Sequence, residues 1–137
     1  MVVIDTNVVF SGLRSNRGAS YALLSQLADG NVEYSVSTAL IFEYEDILKR
    51  DLSKISYNLT EVDEFLDSII SLASRYSSHF LWRPFLKDSK DDMVLELAVV
   101  SGATEILTYN LKDFKGIEMF GIEPMKPLEY LRKEGML

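Results

Sequence analysis

The chain contains no cysteine. That excludes disulfides and thiolate metal sites, and it fits a reducing compartment. Histidine is nearly absent too: His79 is the single one, so a multi-histidine zinc site cannot form and no sulfur is present to replace it. A divalent metal would have to be held by oxygen, which favours magnesium or manganese. No apolar run approaches the roughly 20 residues of a membrane-spanning helix. The chain opens directly on strand-like residues with no basic leader, so the expected location is the cytoplasm, with no membrane partner. Positive charge is also scarce. Fourteen Lys and Arg stand against 21 Asp and Glu, a net charge of −7, which argues against a general phosphate-binding surface.

What is present describes an ordinary globule. Hydrophobic residues make up 47% and charged residues 26% of 137 residues, enough to bury a core without staples and to form a single domain over 1–137. The stretch around which the rest is organised is Val2-Val3-Ile4-Asp5-Thr6-Asn7. An apolar β-branched run without polar alternation suits a strand buried on both faces of a parallel sheet. It stops at a carboxylate, a hydroxyl and an amide, and functional groups gather where parallel strands end at their carboxyl edge. Asp5 there suits holding a cation or positioning a water. It equally suits capping the helix that follows, with Thr6 as the other candidate cap. These residues alone leave both readings open.

The rest of the chain alternates strands with helices. Residues 8–13 read as a short helical turn, followed by a polar loop carrying Arg14 and Arg17. Tyr21, Leu24, Leu27 and Ala28 recur at helical spacing and predict a helix over 19–28, with Tyr21, Leu24 and Leu27 in the core. Residues 32–36 read as a second strand. Ser37-Thr38 offers an N-cap for a helix to Arg50, with Leu40, Ile41, Tyr44, Ile47 and Leu48 as its apolar stripe. Glu43 and Glu45 flank that stripe on opposite shoulders, and helix geometry does not choose between them. Residues 51–58 form a polar connection. Thr60-Glu61-Val62-Asp63 resembles a capping box with Asp in place of Glu and predicts a helix to about residue 76. His79-Phe80-Leu81-Trp82 reads as a short strand closed by Arg83-Pro84. Asp88-Ser89-Lys90-Asp91-Asp92 precedes an apolar helix over 93–100, where acidic residues suit the helix start. Glu105-Ile106-Leu107-Thr108 is a buried strand running into Tyr109-Asn110-Leu111-Lys112-Asp113-Phe114. Residues 121–125 suit an edge strand, and 127–133 a helix with Pro at its first turn. The alternation predicts a three-layer α/β/α sandwich with a mostly parallel central sheet.

Asp5, Glu43, the Asp91/Asp92 pair and the Asn110/Asp113 locus fall on one side of that sheet. Carboxylates converging without histidine or cysteine suit hard cations, as in two-metal phosphodiester cleavage. Here the chain resembles a PIN domain, specifically the bacterial and archaeal branch of toxins in toxin–antitoxin systems. The resemblance rests on the opening Val2-Val3-Ile4-Asp5-Thr6-Asn7-Val8-Val9-Phe10-Ser11, on Val36-Ser37 leading to Glu43-Tyr44 and Ile47-Leu48, on Asp91-Asp92-Met93-Val94-Leu95-Glu96-Leu97-Ala98, on the run from Ile106 to Phe114, and on the tail from Ile122 through Leu131. It implies a metal-dependent endoribonuclease, hydrolysing RNA phosphodiester bonds with Mg2+ or Mn2+ held by Asp5, Glu43 and Asp92. Asp113 is a candidate further ligand and Asp91 a neighbour or cap. Asn110 falls where many relatives carry a fourth Asp, and it would hold a water or a substrate phosphate. Thr6 and Asn7 would orient Asp5 or a water beside it. The resemblance also implies a cognate antitoxin and a homodimer, with an interface as the alternative to the core for some of Tyr21, Leu24 and Leu27.

Other readings stand beside these. Asn110 without a charge allows a catalytically impaired PIN-like module that binds RNA or protein. A phosphatase built on Asp5 would want an acid two residues on, where Asn7 stands. Lys90, where close relatives often have Asp, would touch a phosphate or pair with Asp88. Arg14, Arg17, Lys112 and Lys115 are candidates for a phosphate-facing rim, against ordinary surface charge. Trp82-Arg83 suits base stacking or a cover for the core edge, and His79 a structural or exposed role.

Overall fold

The computed structural model describes residues 1–77 and 85–137, so the expected strand at 79–82 and the Trp82-Arg83 pair lie outside the described residues. In chain order the elements are β1 (Val2–Ile4), α1 (Thr6–Arg14), α2 (Ala19–Ala28), β2 (Ser35–Val36), α3 (Thr38–Arg50), α4 (Leu59–Leu72), β3 (Ser74–Arg75), α5 (Ser89–Ser101), β4 (Glu105–Leu107), β5 (Glu123–Met125) and α6 (Pro127–Lys133). Short 3-10 turns occupy Leu52–Lys54, Leu111–Phe114 and Ile117–Phe120. The fold is a three-layer α/β/α sandwich.

Every strand pairing among the described residues is parallel. β1 pairs β4 with Ile4 opposite Leu107, and β4 pairs β5 with Leu107 opposite Met125. β2 pairs β3, and a single bridge from Val2 to Tyr34 joins the two sets. The order across the sheet is therefore β3-β2-β1-β4-β5. From β1 the chain moves first to one side and later returns to the other, so the order reverses between β1 and β4. In open parallel sheets the crevice outside the carboxyl ends of such a pair is where ligands bind. The ladder runs one residue past the strands there: the Asp5 N–H donates to the Leu107 carbonyl and the Thr108 N–H to the Met125 carbonyl, at 2.9 and 3.0 Å.

The core explains why the strands are so apolar. Val2, Val3, Ile4, Ile106 and Leu107 are buried; α5 packs against β1, β2 and β4, and α1, α2, α3, α4 and α6 form a connected layer that meets α5 through α3. α1 sits close to α2 at Gly12: a Cβ at this position would lie 2.3 Å from Leu24 Cδ1, so the Leu24 side chain would have to shift.

Several element boundaries differ from the sequence expectation, each for a local reason. α1 is a full nine-residue helix rather than a turn. α4 starts at Leu59, because Asn58 and Glu61 form the reciprocal capping box: Asn58 Oδ1 accepts from the Glu61 N–H and Glu61 Oε1 from the Asn58 N–H, at 2.9 and 3.1 Å. It ends at Leu72, since Ser74 and Arg75 leave the helix to pair with β2. α5 starts at Ser89, four residues before the apolar run, with Asp88 as N-cap. Tyr21 is 41% exposed and not in the core, whereas Leu23, Leu24 and Leu27 are buried.

Candidate active site

A cavity of about 280 Å³ opens at the carboxyl ends of β1 and β4, lined by Asp5, Thr6, Asn7, Glu43, Asp88, Lys90, Asp91, Asn110 and Asp113 among others. Sheet register builds one wall. Asp5 follows β1 and Thr108 follows β4, and since Ile4 faces Leu107 these two polar residues are neighbours. The Thr108 hydroxyl donates to Asp5 Oδ2 at 2.8 Å, and the Thr6 N–H donates to Asp5 Oδ1 at 2.9 Å. Asp5 thus caps α1 and lines the cavity at once, so its two readings are compatible. Asn7 completes the frame. Its amide nitrogen reaches Asp5 Oδ2 and Thr108 Oγ1, both at 3.3 Å, and its carbonyl oxygen accepts from the Tyr109 N–H at 3.2 Å. The Asn110 N–H donates to Thr108 Oγ1 at 3.0 Å. Thr108 is thus a hub that ties both strand ends together. Sequence reasoning passed it over, although it follows a buried strand as directly as Asp5 does. Tyr44, buried on α3, donates its hydroxyl to the Ile4 carbonyl and anchors the strand just before Asp5.

The helices supply the other wall. Glu43 of α3 reaches the cavity with its side chain 17% exposed, and Lys90 Nζ stands 3.5 Å from Glu43 Oε1. Lys90 therefore pairs with Glu43 rather than with Asp88, whose carboxylate instead accepts the Lys90 N–H at 2.9 Å as the α5 cap. Glu45 points elsewhere, to Lys49 at 3.2 Å. At the start of α5 the two adjacent acids part. Asp91 lines the cavity, while Asp92 Oδ1 accepts the N–H groups of Leu86 and Phe85 at 2.8 and 3.2 Å. Asp92 is not among the cavity residues; it fastens the segment that leads into α5. Asp113 reaches the cavity from the 3-10 turn after β4.

Gathering these acids in one place raises their proton affinity. Burial pushes the Asp5 carboxyl above its usual value, opposed by the hydrogen bonds from Thr108 and Thr6 and reinforced by the charges of Asp113 and Glu43. Asp91 is pushed up to about 7, first by desolvation and then by the negative charges of Asp5, Asp88, Asp113 and Asp92. Such excess negative charge disfavours ionisation unless a cation compensates it. As placed, no three acidic side chains among the described residues form a closed ion cage. The donor set nevertheless fits a hard divalent cation: it is oxygen-based and mostly carboxylate, and among the described residues Lys90 is the one cationic side chain lining it. A wider groove of about 590 Å³ between α3 and α5 carries Phe42, Leu97 and Val100, with Glu96 as its only acid among the described residues, and lacks this chemistry.

The switch point of this parallel sheet is ringed by carboxylates, with no histidine or thiol among the described residues that line it. A family model described as PIN domain matches residues 1–112, and the chain belongs to the PIN-domain family, whose members are generally metal-dependent nucleases. No curated protein and no solved structure matches the chain. Among the described residues, no helix is long and apolar enough to cross a membrane.

Proposed function

We propose that this protein is an endoribonuclease that hydrolyses RNA phosphodiester bonds with Mg2+ or Mn2+, in the role of a toxin restrained by a cognate antitoxin. The observation that carries the catalytic reading is the single cavity lined by Asp5, Glu43, Asp91 and Asp113 at the carboxyl ends of β1 and β4. In this reading those four carboxylates hold the cation, with Asp91 in the part that the motif resemblance assigned to Asp92. When bound, the ion supplies Lewis-acid stabilisation of the phosphoryl charge and a water of lowered pKa.

The chain's own residues do the rest. Thr108, Asn7 and the Thr6 N–H hold both Asp5 oxygens in fixed directions, the kind of support that ligand carboxylates need. Asn110 presents an uncharged amide that orients a water or a phosphate oxygen without adding repulsion. Lys90 neutralises Glu43 in the free protein, and near the site it favours an incoming phosphate. Asp92 keeps the entrance to α5 in place, and with it Asp91.

Purified protein with a labelled RNA and Mn2+ tests the reading: cleavage is expected, and it is lost in Asp5→Asn with the fold retained. Unchanged cleavage by that variant would remove Asp5 from the chemistry. One observation favours a second reading, a PIN-like module that binds RNA or protein without cutting. Glu43 is already paired with Lys90 and Asn110 brings no charge. RNA retention with no cleavage under any divalent metal is the outcome for that case. The antitoxin and a homodimer rest on motif resemblance alone. Co-expression with an adjacent small open reading frame and a sedimentation measurement test them.

A further inference from the structure

The acid cavity does not end at its carboxylates. Phe10 of α1 and Ile47 of α3 carry its wall outward, and the Arg14 guanidinium stands over the Phe10 ring, 6.0 Å from its centroid. Beyond Arg14 lies a second pocket of about 480 Å³, lined by Arg14, Asn16, Arg17, Tyr21 and Tyr57 among others. Asn7, Phe10 and Arg14 follow one another at spacings of three and four, so they share one face of α1. Arg14 is displaced from Asn7 by about 10 Å along the helix axis.

In an acidic protein this pocket brings two arginines together with two tyrosines. Arg14 and Arg17 are exposed and neither makes an ion pair among the described residues, a property they share with Arg132 and other surface cations. Tyr21, 41% exposed, and half-buried Tyr57 offer ring surface beside them. The turn carrying Arg17 is fixed by its N–H donating to Ser15 Oγ at 3.2 Å, and by the close seat of Gly12 against Leu24. The favourable position of Arg14 at the C-terminus of α1 does not account for Arg17 or for the tyrosines.

We propose that the Arg14–Arg17–Tyr21–Tyr57 pocket is a second RNA subsite, holding backbone phosphate and a stacked base of a single strand whose neighbouring segment crosses the acid cavity over Phe10 and Ile47. Guanidinium groups match phosphate geometry in a bidentate way, and exposed tyrosines stack on bases of any sequence. The path of the strand rests on the nuclease reading of the acid cavity. Binding at the arginines does not, because it needs no metal.

The test is binding of a fluorescein-labelled six-nucleotide RNA in EDTA, measured by anisotropy over a series of salt concentrations. Arg14→Gln and Arg17→Gln should each weaken binding severalfold. The double variant should flatten the slope of log affinity against log salt by about 1.4, for two single-strand phosphate contacts. Tyr57→Ala should weaken binding about fivefold or more through lost stacking and leave the slope unchanged. Arg132→Gln, which removes an exposed charge from α6, should do neither. Wild-type affinity and slope in the double variant would overturn the proposal. So would an absence of RNA binding by the wild type at low salt. Competition by a polyglutamate peptide as strong as that by RNA would assign the pocket to an acidic protein partner, and also overturn it. The two readings fail separately: arginine-dependent binding without cleavage under any metal leaves the subsite standing and removes the nuclease, whereas cleavage with arginine-independent binding does the reverse.

Discussion

The end of β1 and the start of α5 each deliver a carboxylate to one cavity, and they do so under opposite conditions. Asp5 is 8% exposed and held by three donors, the Thr6 N–H, the Thr108 hydroxyl and the Asn7 amide. The Asp91 side chain makes no hydrogen bond or ion pair among the described residues, and desolvation, reinforced by its acidic neighbours, pushes its pKa up to about 7. One carboxylate is positioned by the protein alone. The other is left uncompensated and gains most from a cation. In the proposed cation site the two are complementary, a fixed anchor and a group whose charge awaits its partner.

The largest expected effect strikes the anchor. Asp5→Asn should lower metal-dependent RNA cleavage by more than about a hundredfold, beyond the range of changes to supporting groups, with an unchanged circular dichroism spectrum. Activity within tenfold of the parent would make the two carboxylates equals, or Asp5 irrelevant. Thr108→Val comes next. It removes the hydroxyl that holds Asp5 Oδ2 while keeping the shape of the side chain, and should cost about 10- to 100-fold in metal affinity, read by calorimetry. A loss of less than twofold would show that Asp5 needs no such support.

The helix start is sharpened by comparing adjacent residues. Asp92→Ala strips the acceptor from the Phe85 and Leu86 N–H groups and should lower stability by about 1 kcal/mol or somewhat more, measured by urea unfolding, with metal affinity reduced far less than in Asp91→Ala. Asp91→Ala should abolish most metal affinity and leave stability at or above that of the parent. The opposite pattern would return the ligand role to Asp92. The smallest effect is a pH dependence. The folded protein holds the Asp91 proton more tightly than the unfolded chain does, so ionising this group penalises the native state. Without metal, stability through Asp91 should therefore be greatest below about pH 4 and decline as pH rises towards about 7. Asp91→Asn should flatten that decline, and Mn2+ should oppose it. An identical pH profile for Asp91→Asn would show that the carboxyl is not strained in this way.

How far the sequence carried depends on what positions each residue. Strand ends were legible. Val2-Val3-Ile4 and Ile106-Leu107 are too apolar for anything but a buried parallel sheet, and the polar residues after them must then lie at its carboxyl edge. The alternation of elements was enough for the sandwich. The phase of α5 was not legible, because the apolar period starts at Met93 while Asp88 caps the helix at Ser89. The intervening polar turn carries no periodic signal, and neighbouring side chains on a helix point about 100° apart. That is enough to send Asp91 into the cavity and Asp92 to the Leu86 N–H. The Glu43–Lys90 pair joins α3 to α5 across 47 residues and has no local signature. The two-residue β3 was hidden because Ala73-Ser74-Arg75 continues the composition of α4, and only pairing with β2 pulls it away.

The most direct measurement is a titration of the metal-free protein with Mn2+, followed by electron paramagnetic resonance, for the parent and for Asp5→Asn. Saturable binding by the folded parent is expected, and its loss in the variant. Superimposable titrations, or no Mn2+ bound by the parent at millimolar concentration, would contradict the claim that these carboxylates form a cation site.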